Sequence, residues 1–337
     1  MGPAPAVAAV RSAVRASLAT LRRDPPARSA LPLLLVACSG GADSLALAAA
    51  LAFEAPRARC RAGLVTVDHG VQAGSAAQAA RVAAVGYELG LDPVELLPVT
   101  VGAAGGPEAA ARAARYAALD EVAAALDAVV LLGHTLDDQA ETVLLGLGRG
   151  SGPRSVAGMR PLDGRYARPF LGLRRSTTTA ACAALGLEPW ADPHNADPAF
   201  QRVRLRAEVL PLLEDVLHGG VAEALARTAE LLRDDLDALD AWASSALPTL
   251  IDGPGSTPAD LPVTALAELP RAVRTRVLRA WARAAGAGVL TAERTAALES
   301  LVTSWHGQGP IQLSGDVSAR RASGRLQVSR GPNPGER

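Results

Sequence analysis

The sequence predicts an α/β fold: a doubly wound parallel sheet, followed by a smaller, mainly helical α+β domain at the C-terminal end. Three observations predict it. Short apolar runs alternate with long Ala-rich stretches through the first half of the chain, and strands that alternate with helices build parallel sheets. Polar clusters stand directly after the first, second and fourth apolar runs, where such sheets bind ligands, beyond the carboxyl ends of their strands. The end of the chain then changes period. Residues 311–329 alternate apolar and polar across Ser-Gly turns, which reads as two or three short antiparallel strands.

Taken in order, residues 33–38, 63–67, 94–101 and 128–132 read as strands, and 43–53, 75–89, 107–126 and 137–147 as helices. Residues 148–173 are rich in Gly, Pro and Arg and read as irregular surface chain, before a short helix at 176–185 and a polar stretch at 192–198. A long helical region, 200 to about 247, bridges into the second domain. Residues 253–262 read as a loop, 270–285 and 291–303 as helices, and 331–337 as a disordered tail. The expected domains are 1–211 and 212–330, with no internal repeat.

A length of 337 residues suits two domains, each able to bury a core. Half the residues are apolar (49%) but only 3% are aromatic, so alanine and small aliphatic side chains must fill the interior. No apolar run approaches the ~20 residues of a membrane span. Arg11 and Arg15 lead into no apolar segment before Asp24-Pro25-Pro26, which argues against a signal peptide and makes a cytoplasmic protein the expectation. Cys38, Cys60 and Cys182 lack CxxC spacing and read as reduced core thiols, not as a disulfide, zinc or iron–sulfur framework.

All 34 basic residues are arginine. Without lysine there is no Walker A loop and no pyridoxal Schiff base, so arginine alone must handle phosphates. Net charge is zero, yet residues 149–206 hold ten arginines against Asp163, Glu188, Asp192 and Asp197. Charge alone leaves two readings open for that segment, phosphate contact or a solvated face.

Ser39-Gly40-Gly41-Ala42-Asp43-Ser44 follows the first strand and opens the first helix. Its glycines let the backbone turn and approach a ligand, and the helix start offers unpaired N–H groups to an anion. A carboxylate beside bound phosphate is repelled unless a cation intervenes, so Asp43 suggests Mg²⁺. The plainer alternative is a glycine turn with Asp43 favouring a helix start. Val67-Asp68-His69-Gly70 ends the second strand, where an acid commonly meets a ribose; His69 reads equally well as a loop histidine. Beyond the fourth strand, Asp137 and Glu141 are four apart and Asp138 and Glu141 three apart, so they share a helix face. Thr135 with Asp138 also fits a capping box, which does not by itself call for a third acid. Arg112, Arg115 and Tyr116 share a face of the preceding helix.

These motifs carry a resemblance. Ser39–Ser44 resembles the PP-loop of ATP pyrophosphatases, whose fold is Rossmann-like. Gly133-His134-Thr135-Leu136-Asp137-Asp138-Gln139-Ala140-Glu141-Thr142 resembles the acidic motif of tRNA-modifying PP-loop enzymes. Arg112-x-x-Arg115-Tyr116, Arg149-Gly150-Ser151-Gly152, Gly158-Met159, Arg168-Pro169-Phe170-Leu171, Trp190-x-Asp192-Pro193-His194-Asn195 and Phe200-x-Arg202-Val203-Arg204-Leu205-Arg206 follow in the order of the tRNA(Ile)-lysidine synthetases. The chain departs from that pattern at Val71-Gln72 (usually Leu-Arg), Thr135 (usually His) and Val203 (usually Asn).

The resemblance implies ATP and Mg²⁺ as cofactors, L-lysine and tRNA(Ile) with a CAU anticodon as partners, and no membrane; it leaves a homodimer open. It implies catalytic roles for Asp43, Arg112, Asp138 and Glu141, with Arg112 against the α-phosphate. ATP falls to Ser39, Gly40, Gly41, Ala42, Asp43, Ser44, Asp68, His69 and His134, and metal to Asp43 and Asp137. Lysine and tRNA fall to Asp137, Asp138, Glu141, Arg149, Arg202 and Arg206. Apart from the resemblance, Arg320, Arg321 and Arg325 cluster on the terminal strands and read as phosphate contacts of the second domain, or else as solvated hairpin charges. The rival within the superfamily is a tRNA 2-thiocytidine synthetase, which carries paired cluster-binding cysteines. The rival outside catalysis is a tRNA- or nucleotide-binding module.

Overall fold

The structure is a computed structural model that describes residues 2–23, 33–68, 70, 74–102, 106–150, 152–192, 197–251 and 260–331. The chain forms two compact units, Met1–Glu230 and Leu231–Arg337.

The first unit is built on a six-stranded sheet of order β3-β2-β1-β4-β6-β5. Its strands are β1 (Leu33–Ala37), β2 (Arg61–Asp68), β3 (Val94–Pro98), β4 (Ala128–Leu132), β5 (Leu162–Asp163) and β6 (Tyr166–Ala167). β1 and β4 lie centrally, and their runs Leu-Leu-Leu-Val-Ala and Ala-Val-Val-Leu-Leu are almost wholly buried. Continuous apolar strands are what a sheet covered on both faces requires. β1 pairs in parallel with β2 on one side and β4 on the other. The strand order therefore reverses between β1 and β4, and the cleft at such a reversal is where doubly wound sheets place ligands. β5 and β6 form an antiparallel hairpin that joins β4 through β6. They lie within the segment expected to be irregular, too short to show a period.

Four helices connect the main strands: α2 (Ala42–Glu54), α3 (Ser75–Glu88), α4 (Pro107–Ala125) and α5 (Leu136–Arg149). Ahead of them stands α1 (Pro5–Arg23), an element the sequence reading did not include. Val7, Val10, Val14, Leu18 and Leu21 recur at helical spacing and are buried, each worth roughly 1.5–3 kcal/mol against exposure. α1 packs on α2 and on α7 (Arg175–Ala184), whose numbering leaves α6 for the single turn Pro153–Val156. Burial pushes the Cys38 and Cys182 thiols up, Cys182 to about 11, so both serve as protonated core groups.

The expected helix over 200–247 is interrupted. It consists of α8 (Gln201–Arg204), a π turn (Leu205–Val209), α9 (Leu210–Val216) and α10 (Val221–Ile251). Pro211 lacks the N–H that would continue the ladder, and the backbone widens to a π turn just before it. The second break has His218, Gly219 and Gly220 all at positive φ, which stops a right-handed helix.

The second unit holds a four-stranded antiparallel sheet of order β7-β10-β9-β8. Its strands are β7 (Asp260–Pro262), β8 (Ile311–Gln312), β9 (Val317–Ala322) and β10 (Arg325–Arg330). Helices α11 (Val263–Glu268), α12 (Arg271–Ala284) and α13 (Ala292–Thr303) complete it. Leu261, Val277, Trp281, Leu298, Val317 and Leu326 form part of one buried core. β7 falls in the expected loop 253–262, whose residues 253–259 lie outside the described residues, as do 332–337 of the expected tail.

Candidate active site

The loop after β1 leads straight into α2. Gly40 has φ +86, a conformation that favours glycine. Its carbonyl accepts a hydrogen bond from the Trp190 amide at 2.9 Å, which fixes the loop. Ser44 Oγ donates to the Gly41 carbonyl at 3.0 Å and accepts from the Ser39 amide at 3.2 Å. Gly41, the residue before α2, makes no side-chain cap. The first amides of α2 are thus left to a ligand, and the helix start favours an anion.

The turn after β4 comes very close to this helix start. A Cβ on Gly133 would lie 3.1 Å from the main-chain carbon and oxygen of Asp43 and from the Ser44 nitrogen. Any larger residue would crowd that approach, which sets the start of α5 beside the start of α2. At α5, Thr135 Oγ1 and the Asp138 amide close a capping box, as the spacing predicts. Asp138 also does more. One oxygen takes the Thr135 amide and hydroxyl, at 2.8 and 2.9 Å, and the other takes Nη2 of Arg175 at 2.6 Å.

Arg175, first residue of α7, joins acids from two helices. Its guanidinium lies 3.3 Å from Asp43, 2.6 Å from Asp138 and 3.9 Å from Glu141. Arg206 lies 2.8 Å from Glu141 and 3.6 Å from Asp138, and Arg202 3.9 Å from Glu141. Thr178 donates to Asp43. Burial raises the Asp43 carboxyl above its ordinary range despite Thr178 and Arg175. Burial likewise raises Glu141, against Arg206. For Asp138 burial also pushes upward, but Arg175 and the Thr135 amide prevail and hold it low. Glu141 is fully buried, and its Oε2 has no hydrogen-bond partner.

Asp137 faces other partners. Its oxygens accept from Arg174 Nη1 at 3.2 Å and from the Arg175 amide at 2.8 Å. Arg174 further binds Glu214 and Glu223, so Asp137 belongs to a clamp that ties α5, α7, α9 and α10. Gln139 exchanges two hydrogen bonds with the main chain of Met159, at 3.0 and 2.7 Å, which links the acidic motif to Gly158-Met159. Arg149 stands in the last turn of α5. Asp68 ends β2 and accepts from the Gly70 amide at 3.0 Å; His69 lies outside the described residues, as do Pro193, His194 and Asn195.

On the other side of His134 the charges are positive. Arg112 and Arg115 of α4 stand over the Tyr116 ring at 4.7 and 5.6 Å. Burial holds the His134 imidazole down to about 4, aided by the charges of Arg168, Arg112 and Arg115 against that of Asp138. It is therefore neutral at physiological pH.

The structure thus gathers Ser39–Ser44, Arg112, His134, Asp138, Glu141, Arg202 and Arg206 about the β1–β4 reversal. Sequence reading did not single out Arg174, Arg175 or Thr178. Two adjacent arginines at a helix start, where cations are unfavourable, were the available signal. In the second unit, Arg321 stacks on Trp305 at 4.8 Å and donates to the Leu301 carbonyl, while Arg325 donates to the Asp260 carbonyl. Arg320 is exposed and donates to Gln327 at 3.2 Å.

A glycine loop and an uncapped helix start, facing an acidic helix across the switch point of a parallel sheet, define a PP-loop protein. The PP-loop domain model matches residues 12–213, and the model of the TilS substrate binding domain matches 261–327. The chain is 59% identical over 331 residues to the tRNA(Ile)-lysidine synthase of Thermobifida fusca, covering 97% of this chain and 99% of that one. It is 55% identical over 356 residues to that of Streptomyces coelicolor, covering 98% and 100%. The U34-tRNA thiolase NcsA of Methanococcus maripaludis is similar in fold, with TM-score 0.51 and 18% identity over 66% of this chain and 80% of that chain. The chain belongs to the tRNA(Ile)-lysidine synthase family.

Proposed function

We infer that this chain is an ATP-dependent tRNA(Ile)-lysidine synthase. ATP adenylates the C2 oxygen of the wobble cytidine in a CAU anticodon, releasing pyrophosphate. The side-chain amine of L-lysine then attacks C2, AMP leaves, and the codon read changes from Met to Ile. The observation that carries this reading is the approach of α5 to α2 at Gly133, which puts free helix amides beside a set of carboxylates and arginines.

Each group then has a task. Ser39, Gly40, Gly41, Ala42 and Ser44 receive the pyrophosphate through amides and hydroxyls. Asp68 and His69 take the nucleoside end, and Arg112 stands against the α-phosphate, where charge develops. Glu141, with one oxygen hydrogen-bonded and the other without a hydrogen bond, receives a lysine ammonium, and Asp138 aligns it through Arg175 and Arg206. Arg149, Arg202 and Arg206 are the tRNA side of the site. Asp137 holds α7 in place.

No group of three or more His, Cys, Asp or Glu side chains among the described residues is arranged to hold a metal. That suits Mg²⁺, which takes one or two carboxylates and completes its shell with phosphate oxygens and water. Asp43 is the residue that would hold it, and when bound it supplies charge neutralisation of the phosphates. Asp43 accepts from Thr178 and Arg175, and Asp137, expected beside it, from Arg174 and the Arg175 amide, so either carboxylate would exchange a protein donor for the ion.

The assignment divides the chain into a catalytic domain at 1–211 and a tRNA-binding domain at 212–330. Among the described residues no helix is long and apolar enough to cross a membrane, and a cytoplasmic enzyme follows from the substrate. A homodimer is compatible with the reading and tested by sedimentation.

ATP–pyrophosphate exchange, with and without a CAU tRNA transcript, tests the proposal. Exchange should require the tRNA, and Asp43→Asn should lower it at least ~100-fold in a folded protein. Exchange that ignores the tRNA would remove cytidine as the adenylated group.

A further inference from the structure

The acids of the site are met by arginines, but several arginines of the site are not met by acids. Arg115 is the extreme case. It is half-buried on α4, and the cations that act on it are Arg112 and Arg202. Among the described residues it has neither a hydrogen bond nor an ion pair, only the Tyr116 ring, whose centroid lies 5.6 Å away. Arg168 is 7% exposed, and while its Nη1 donates to the Arg160 carbonyl at 2.9 Å, its Nε is buried without a partner. Nδ1 of His134 is a third buried polar atom without a partner. Three unsatisfied polar groups thus meet in one place, and two of them are cations.

Burying an unpaired cation beside others opposes folding. A fold keeps such a cluster when a ligand completes it. The missing partner is an anion, and its geometry calls for several acceptor oxygens, since guanidinium forks and an imidazole must all be served.

We infer that Arg115, together with Arg112, Arg168 and His134, forms an anion site that takes a phosphate group beyond those held by the glycine loop. The neutral imidazole contributes one hydrogen bond, and Arg115 and Arg168 contribute charge and direction. The identity of the phosphate rests on the function proposed above. It is a phosphate of the nucleotide or a backbone phosphate of the tRNA. The unpaired cluster itself does not depend on that reading.

The test uses the full chain with Arg115→Gln and Arg115→Lys. Thermal denaturation is followed in inorganic phosphate and in chloride at equal ionic strength. The Gln variant should melt at or above the wild-type temperature in chloride, because a half-buried charge set among other cations has gone. Its gain from phosphate should be smaller than the wild type's, and the Lys variant should recover part of that gain. A Gln variant that melts well below wild type would make Arg115 structural and overturn the inference, as would an undiminished response to phosphate. Titrations then separate the sources. A roughly tenfold loss of ATP affinity assigns the site to the nucleotide. A loss confined to tRNA, with the log–log salt slope smaller by ~0.9, assigns it to the tRNA backbone. Unchanged affinity for both overturns the inference. If exchange proves independent of tRNA while Arg115→Gln still loses its phosphate response, the proposed reaction falls and this site stands.

Discussion

Two arginines, one buried in the second unit and one half-buried in the first, are held in opposite ways. Arg274 in the second unit is 9% exposed. Its guanidinium donates to the Leu269 carbonyl at 2.8 Å, to the Ala267 carbonyl at 3.3 Å and to Glu299 at 3.0 Å. Glu299 is in turn bound by Arg271 at 2.9 Å. Arg115 in the first unit has no acid and no carbonyl among the described residues. Glu141 is an intermediate case, with one oxygen hydrogen-bonded to Arg206 and the other without a hydrogen bond, 3.9 Å from Arg202. The difference teaches that burial of a charge does not reveal its purpose, but the completeness of its partners does. A charge kept for the fold is satisfied within the fold, and a charge kept for a ligand is left incomplete.

The largest effect should come from the completed cluster. Arg274→Met leaves Glu299 with only the exposed Arg271, and should cost about 3 kcal/mol of stability. Chemical denaturation followed at Trp281, buried in the same core, would measure it; a loss near zero would break the comparison at its firmest end. Glu141→Gln should act on function instead. It removes a charge-assisted contact worth roughly 1.5–3 kcal/mol, so the lysine concentration for half-maximal lysidine formation should rise about tenfold or more. The ATP requirement should barely move, and equal effects on both would place Glu141 with the nucleotide.

A smaller effect is a matter of pH. Burial pushes Glu299 upward, but the hydrogen bonds from Arg271 and Arg274 prevail and hold its carboxyl below the usual range. A lowered folded-state pKa adds stability above the unfolded value, near 4.3, that is lost as pH falls through the folded value. Glu299→Gln should therefore be less stable than wild type at neutral pH, and the gap should shrink on acidification below about 4. A gap that is constant across pH would show that packing, not charge, makes the difference. The smallest effect belongs to Arg115→Gln, whose stability should be unchanged or slightly higher.

The sequence by itself determined whatever is local. Apolar periodicity set the alternation of the first four strands with their helices, and the Ala128–Leu132 strand has the bounds its apolar run predicts. The glycine loop, the Thr135–Asp138 capping box and the shared face of Asp138 and Glu141 follow from spacings of five residues or fewer. Tertiary structure alone decided the rest. Nothing in the period of residues 148–173 shows that two two-residue strands join the sheet, because a strand that short has no period and is held by the edge it meets. Nor could the arginine excess of 149–206 disclose its use. Four of those arginines turn inward to acids, Arg175 to Asp43 across 132 residues and Arg206 to Glu141 across 65. Arg174 turns to Asp137 and Arg202 to Glu141. Helical and strand periods are fixed by neighbours in the chain. The partner of a long charged side chain is fixed by what the fold brings within about 4 Å of it, and a linear sequence does not state that distance.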